Sequence, residues 1–359
     1  MTAKPPSRPG DPVDAVVIGR NEGARLMACL ASLRGQVRRL VYVDSGSTDG
    51  SVPLARSMGA EVVTLDLSLP FTAARARNAG LAALADDPPG FVQMVDGDCE
   101  VDAGWLAAAR AAFSVHPQAV VVCGRRRERF PAASVYNALA DREWDTPVGP
   151  ARACGGDALL RYAAVQAVGG YRADLIAGEE PELCLRLRAA GGEVWRIAAE
   201  MTLHDAALLR FGQWWRRSVR AGHAFAEGAA LHGAGSGVAG SGGVGSGVAG
   251  PGVAGPGVAG SGLAGPGLAG SGGHWVAETR RAVIWGMAVP LASVLGALVS
   301  PLALLLLLAY PAQVVRLARR GGWAWAMFSV LGKFAEARGV AGYWLGRWRG
   351  QQRGLIEYK

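Results

Sequence analysis

Two aspartates on either side of one glycine follow a short apolar segment, and their types and spacing suit cation binding. Residues Phe91 to Asp96 are typical of a buried strand, and Asp98 follows Gly97, whose missing side chain frees the backbone to turn. Hard ions such as Mg²⁺ prefer carboxylate oxygens and complete their shell with water and substrate phosphates. A plain turn is the alternative, because Asp and Gly are both common turn residues.

The elements that must position these aspartates are strands alternating with helices. Apolar segments at 13–18, 40–43, 61–65, 91–96, 119–123 and 194–197 are separated by helical patterns over most of the first two hundred residues. This alternation predicts an α/β fold with a mostly parallel sheet and helices on both faces. In such sheets ligands bind beyond the carboxyl ends of the strands. The polar residues that follow the early strands are Asn21, Glu22, Asp44, Asp96 and Asp98.

Composition favours association with a membrane over binding of nucleic acid. The chain has 359 residues, half of them hydrophobic and 18% charged, with a formal net charge of +8. Many basic residues lie late in the chain beside aromatic or apolar stretches, where they suit anionic lipid, so no nucleic-acid partner is predicted. The five scattered cysteines indicate neither a disulfide framework nor a zinc site and favour a reducing compartment. Residues 1–12 are predicted to be a disordered tail.

Four polar segments follow one another along the first hundred residues: Val-Val-Ile-Gly-Arg-Asn-Glu, Val-Asp-Ser-Gly-Ser-Thr-Asp, Ala-Arg-Ala-Arg-Asn-Ala-Gly and Val-Asp-Gly-Asp. In this order and spacing they resemble the signatures of family 2 inverting glycosyltransferases of the GT-A (Rossmann-like) fold. The resemblance implies a nucleotide diphosphate sugar as the donor and Mn²⁺ or Mg²⁺ as the cofactor. It also implies that Asp44 contacts the nucleobase, that Asp96 lies near the ribose and that Asp98 binds the metal.

Further donor ligands are predicted on the same edge, each with a structural alternative. Asn21 and Glu22 belong to the polar group at the first strand end, and Arg77 and Asn78 to the third signature. An arginine fork suits a diphosphate, although a solvated helix face also explains these two residues. A structural role in a turn is the alternative for Asp44.

The resemblance places the catalytic base at the start of a later helix. Glu179 and Glu180 follow Gly178, and acids in a first helical turn often only partner the helix dipole. In the family the second acid removes the proton from the incoming hydroxyl. Here that position is Glu180, where the family has Asp, so Glu179 remains a rival. The resemblance also implies that His204 completes the metal site, although a single His more often has a structural role.

Two other stretches have an implied or open role on the acceptor side. Residues 154–171 resemble the segment that leads up to the acceptor in these enzymes. The basic run at 125–129, with four arginines in five residues, suits an anionic acceptor or a membrane surface, or is a solvated loop.

The second half of the chain has the pattern of a membrane-associated region. Residues 211–232 predict an amphipathic interface helix, and 321–359 a second interfacial segment. Residues 233–273 contain repeats of [Ser/Pro]-Gly-[Val/Leu]-Ala-Gly and predict a flexible loop or tether. Residues 282–315 lack charge, contain Ser300-Pro301 near their middle and are flanked by arginines. A transmembrane hairpin over 274–320 with both ends cytoplasmic is therefore favoured over a buried soluble hairpin.

These features together predict a metal-dependent inverting glycosyltransferase. Its catalytic domain, residues 13–210, would lie on the cytoplasmic face of the inner membrane, in contact with membrane lipid. It would transfer a sugar to a lipid-linked or polysaccharide acceptor, as in glycolipid or exopolysaccharide assembly. Two alternatives remain open at this stage: a catalytically silent scaffold or binding protein of the same fold, and a nucleotidyltransferase.

Overall fold

The computed structural model describes residues 10–233 and 274–350. The predicted N-terminal tail up to residue 9, the repeats at 234–273 and residues 351–359 lie outside the described residues. The chain divides after Ala207 into two compact units.

The first unit alternates strands and helices. Its strands are β1 (Val13–Gly19), β2 (Leu40–Asp44), β3 (Glu61–Thr64), β4 (Phe91–Asp96), β5 (Cys99–Val101), β6 (Ala119–Glu128), β7 (Gly149–Ala151), β8 (Ala158–Arg161) and β9 (Glu193–His204). Its helices are α1 (Ala24–Leu33), α2 (Ser51–Ser57), α3 (Ala73–Ala83), α4 (Trp105–Val115), α5 (Val135–Trp144), α6 (Tyr162–Ala167) and α7 (Glu179–Ala189), with a short 3₁₀ turn at Pro131–Ala133.

The strands form one sheet in the order β3-β2-β1-β4-β8-β6-β9-β5, and β7 pairs with β9. The strands β3, β2, β1 and β4 are parallel. Beyond β4 the sheet becomes mixed, because β8 is antiparallel to both of its neighbours while β6 and β9 are parallel. The predicted α/β class is confirmed, and the parallel arrangement holds for the half that ends at Asp96.

Helices hold the first strands from both faces. All but the last residue of β1 is buried, which is the pattern of a parallel strand covered on both sides. Leu26, Leu30 and Leu33 form the buried stripe of α1 that the sequence predicts. Helix α3 packs so closely that a methyl group on Gly80 would lie 2.2 Å from a methyl carbon of Val16. This close contact fixes α3, which carries Arg77, beside the centre of the sheet.

The second unit is helical among its described residues. It contains α8 (Phe211–His232), α9 (Val276–Val283), a π-helical turn at Ile284–Ala288, α10 (Val289–Ala297), a 3₁₀ segment at Pro301–Leu308, α11 (Ala309–Gly321) and α12 (Trp323–Trp348). Helices α8 and α12 meet at backbone contact, because a Cβ on Gly222 would lie 1.9 Å from the carbonyl oxygen of Glu336.

The segment from α9 to α11 is an apolar hairpin. The chain reverses between Ala297 and Pro301, close to the predicted turn, and the rings of Trp285 and Tyr310 on the two arms lie 5.9 Å apart. The stretch Pro301–Gly321 is long and apolar enough to cross a membrane, and 6% of its apolar window is buried.

Candidate active site

One buried arginine joins acids from distant parts of the chain at the carboxyl end of β4. Arg77 donates from Nη1 to Oε1 of Glu179 at 2.7 Å and from Nη2 to Oδ1 of Asp96 at 2.9 Å. The same Nη2 lies 3.0 Å from Oε1 of Glu180. The guanidinium therefore contacts three carboxyl groups at once. Sequence reasoning predicted Arg77 as a diphosphate ligand, and in this structure its two terminal nitrogens serve the acids of the site.

A glycine makes this close contact possible. A Cβ on Gly156 would lie 2.6 Å from Nη2 of Arg77 and 2.6 Å from Oδ2 of Asp96, which is closer than real Cβ contacts. The next residue, Asp157, accepts the Asp96 backbone N–H at 3.1 Å and the Thr202 hydroxyl at 2.8 Å. The sequence analysis placed both within residues 154–171, the segment expected to lead up to the acceptor, and gave neither of them a role of its own. The available signal was the glycine pair directly before an acid, Gly155-Gly156-Asp157.

A second arginine, from the basic run, also lies in this acidic group. Nη2 of Arg126 is 3.4 Å from Oδ2 of Asp96, and its Nε is 3.4 Å from Oδ2 of Asp157. Its guanidinium carbon lies 4.9 Å from the ring centre of Trp144. Arg127 in the same run pairs with Asp141 instead, at 2.9 Å. The basic run is thus divided between the site and a local ion pair.

Asp98 and His204 form a pair that could hold a cation. The short strand β5 pairs with β9 so that Cys99 lies opposite His204. This register brings Nε2 of His204 to 3.2 Å from Oδ2 of Asp98. The two residues and Cys99 offer ligand atoms that lie within 4.8 Å of one another.

The electrostatics of this site favour the ligand form of His204 and disfavour that of Cys99. Burial, reinforced by the charge of Arg126, lowers the pKa of His204 to about 3, so the imidazole is neutral. Its buried Nδ1 lies 3.8 Å from Oε2 of Glu128 and has no hydrogen-bond partner among the described residues. Burial raises the pKa of Cys99 well above its ordinary value, which keeps the thiol protonated and a poor ligand.

Glu180 has the electrostatic setting of a proton acceptor. Burial, and then the neighbouring charge of Glu179, raise its pKa to about 7, against the opposing effect of Arg77. Gly178 precedes these glutamates with a φ of 83°, in the left-handed region that favours glycine. A carboxyl group with a pKa near 7 can take up a proton from a substrate at neutral pH.

The predicted nucleobase side lies where β1 and β2 end. Asp44 accepts the Tyr42 hydroxyl at 3.1 Å and the backbone N–H groups of Gly46 and Ser47 at 3.0 Å each. Asn21 accepts the Thr48 N–H at 2.7 Å, which ties the two loops together. Asp44 therefore shapes the turn that follows β2, and its contact with a nucleobase remains a prediction.

The two other predicted donor residues have local partners. Glu22 pairs with Arg25 at 2.8 Å. Asn78 uses both ends of its amide on the backbone of Tyr171, at 2.7 and 2.8 Å. In this structure Asn78 therefore connects α3 to the segment before α7, and its predicted contact with the donor stays a prediction.

The N-terminal part of the first unit matches the model of a known protein family. Residues 14–142 match the model "Glycosyl transferase family 2". This range includes the loops that carry Asn21 and Asp44 and the segment that carries Asp96 and Asp98. Residues 14–142 are therefore similar to a family 2 glycosyltransferase domain, the family that the four signature segments resemble.

The chain is also similar to individual proteins, both in sequence and in structure. The chain is 28% identical over 244 residues to the pre-mycofactocin glycosyltransferase of Mycobacterium tuberculosis. That match covers 64% of this chain and 50% of the relative, so the chain spans about half the length of the curated relatives it matches. Among solved structures, a mannosyltransferase from Pyrobaculum calidifontis in complex with GDP-Man and Mn²⁺ aligns over 94% of this chain and 91% of its own, with 17% identity and a TM-score of 0.56. This likeness shows the shared GT-A fold.

Proposed function

We propose that this protein transfers a sugar from a nucleotide diphosphate sugar to a hydroxyl group, with inversion and with the help of a divalent cation. The observation that carries the proposal is the single guanidinium of Arg77, which joins Asp96 of β4 to Glu179 and Glu180 of α7. Two residues beyond Asp96, Asp98 meets His204. The family match supports sugar transfer, and the GDP-Man of the structural relative supports the donor class.

Asp98 and His204 would hold the cation. An aspartate side chain and a neutral imidazole suit a divalent metal. An imidazole nitrogen is softer than the all-oxygen shell that Mg²⁺ prefers, so we favour Mn²⁺. When bound, the ion stabilises the negative charge that develops on the leaving diphosphate.

Glu180 would remove the proton from the acceptor hydroxyl. A sugar hydroxyl is a weak nucleophile, and a carboxylate within hydrogen-bond reach strengthens it as the new bond forms. Glu179 accepts the shorter contact with Arg77, so it neutralises that cation and leaves Glu180 the better placed of the two. In this scheme Arg77 positions the acids and does not contact the diphosphate.

We further propose that the acceptor is delivered at a membrane, on its cytoplasmic side. Support comes from the apolar segment Pro301–Gly321, which is almost wholly uncovered within the described residues. Activated sugars are soluble and polar, so an enzyme that meets both substrates would work where a cytosolic domain contacts lipid. The silent scaffold and the nucleotidyltransferase are alternatives that the following experiment separates from this proposal.

A thermal-shift panel of nucleotide diphosphate sugars, with and without Mn²⁺, on detergent-purified protein tests the proposal. We expect one donor to stabilise the wild-type protein only when Mn²⁺ is present, and sugar transfer to follow with a glycolipid extract. Asp98→Ala should lose both effects, while Asp102→Asn, which changes an exposed aspartate in the same region, should keep them. A scaffold would bind without turnover, and stabilisation of Asp98→Ala equal to that of the wild type would remove the metal from the proposal.

A further inference from the structure

The second unit contains an open hollow that the proposed reaction does not use. It has a volume of about 600 Å³ and is lined by Phe211, Gly212, Trp215 and Arg216 of α8 and by Arg338 of α12. We call it the α8–α12 hollow. Its lining combines two cations with two aromatic rings and contains no acid.

The two arginines lack the partners that other arginines of this protein have. Both are exposed, and neither forms an ion pair with a carboxylate among residues 10–233 and 274–350. By contrast, Arg38 and Arg39 in the first unit each pair with two acids. Two guanidinium groups that face one hollow repel each other, and an anion between them would turn this repulsion into attraction.

The aromatic side of the hollow selects for an anion that has an apolar body. The rings of Phe211 and Trp215 lie 5.7 Å apart, and Phe211 is 45% exposed. Trp214 packs inward against Phe328, with ring centres 5.0 Å apart, which holds this end of α8 against α12. Exposed aromatic rings beside arginines are typical of the headgroup layer of a membrane, where one side of a ligand is wet and the other is apolar.

The apolar hairpin places this region at a membrane surface. A Cβ on Gly286 would lie 2.4 Å from Cβ of Ala337, so the base of the hairpin meets α12 beside Arg338. From Gly286 to Leu298 the arm is about 18 Å long at 1.5 Å per residue, against about 15 Å for one leaflet of a 30 Å hydrocarbon core. Leu298 is 81% and Val299 92% exposed at the tip. Immersion of the hairpin to its base would therefore bring Arg338 to the depth of the lipid phosphates.

We propose that the α8–α12 hollow binds the phosphate of an anionic membrane lipid. Arg216 and Arg338 donate to the phosphate oxygens, and Phe211 and Trp215 pack against the glycerol and the first acyl carbons. The inference rests on the membrane association in the proposed function and not on sugar transfer. An arginine fork matches phosphate in a way that the point charge of lysine does not, and this difference makes the site testable without a change of net charge.

Native mass spectrometry of the detergent-purified full chain with short-chain phosphatidylglycerol tests this site. The wild-type protein should retain one lipid. Arg216→Lys with Arg338→Lys keeps the charge, and Gly212→Leu fills the hollow, so both should weaken retention by about tenfold. The matched control, Arg319→Lys with Arg320→Lys at the exposed end of α11, should retain lipid as the wild type does.

Three results would overturn the proposal. Wild-type retention in both hollow variants would mean that lipid binds through general charge alone. Lipid retention that falls in the α11 control as much as in the hollow variants would mean the same. Retention of phosphatidylcholine equal to that of phosphatidylglycerol would remove the preference for an anionic lipid. The thermal shift that Mn²⁺ and a nucleotide sugar produce is measured on the same variants and reports on the first unit. It therefore distinguishes failure of the lipid site from failure of the transferase proposal. Retained donor stabilisation in Gly212→Leu also shows that this variant is folded.

Discussion

Replacement of Glu180 by glutamine should make the protein more stable at alkaline pH and should greatly reduce its rate of sugar transfer. Glu180 is buried in the first turn of α7, and burial together with the charge of Glu179 raises its pKa from 4.5 to about 7. A glutamine keeps the shape and the hydrogen-bonding oxygen and cannot ionise. The variant therefore separates the cost of burying this charge from its use in the reaction.

The sign and size of the stability change follow from the raised pKa. Because the folded state holds the proton more tightly than the unfolded state, the stabilising contribution of Glu180 is complete below about pH 4.5 and is lost as pH rises through about 7. The full rise in pKa corresponds to about 3 kcal/mol at most. For a domain of this size that is a change of about 6 to 12 °C in Tm.

Thermal unfolding of the wild type and of Glu180→Gln at pH 5 and pH 8 measures this effect. The Tm of the variant, relative to that of the wild type, should rise by several degrees between pH 5 and pH 8. The transfer rate of the variant should be lower than that of the wild type by a factor of about 10² to 10⁴, because the base is lost. Glu182→Gln is the matched control, because Glu182 is a buried glutamate of the same helix whose ion pair is with Arg186, at 2.7 Å. Its transfer rate should stay near that of the wild type. A Tm difference that does not change with pH, or undiminished transfer by Glu180→Gln, would refute the assignment.

Three further predictions concern the same acids. The kcat/KM of the wild type should rise with pH through about 7 and then level off, because Glu180 must be ionised to take the proton; a flat profile from pH 5 to pH 8 would point to another base. Gly156→Ala should reduce the transfer rate about tenfold or more, because the added Cβ would lie 2.6 Å from Arg77 and Asp96. Gly50→Ala is the control and should keep the wild-type rate, because nothing lies within 4 Å of its Cβ. Equal transfer rates in the two variants would show that the contact at Gly156 relaxes. Arg77→Met should lower the free energy of unfolding at pH 8 by about 3–5 kcal/mol, because it leaves buried carboxylates without their cation, and a smaller loss at pH 5 is the accompanying signature.

The sequence predicted β1 to β4, β6 and β9, which take part in the alternation of strands and helices. The strands it missed, β5, β7 and β8, have three or four residues each, and a window that short carries no periodic signal. Strand β3 is as short as β8, but its place between two predicted helices indicated it, whereas β5 directly follows β4 and no helix separates β7 from β8. Strand β5 is held by its pairing with β9, opposite His204, and β8 by antiparallel pairing on both sides. Tertiary contacts that no local pattern reports therefore set the order of the second half of the sheet.

The acids of the site could be named from the sequence, but their connections could not. Asp96, Asp98 and the glutamates of α7 followed from strand ends and from family resemblance. The contact between Arg77 and Glu179 spans 102 residues, and the contact between Asp96 and Asp157 spans 61. Such pairs depend on packing of the whole sheet, and so does the burial that raises the pKa of Glu180.

The most direct test of the central claim is pulsed electron paramagnetic resonance of Mn²⁺ bound to the protein with a nucleoside diphosphate. The account predicts hyperfine coupling from one imidazole nitrogen, that of His204, and loss of this coupling in His204→Gln. Coupling that survives in His204→Gln, or Mn²⁺ bound beside the diphosphate with no nitrogen coupling, would contradict it.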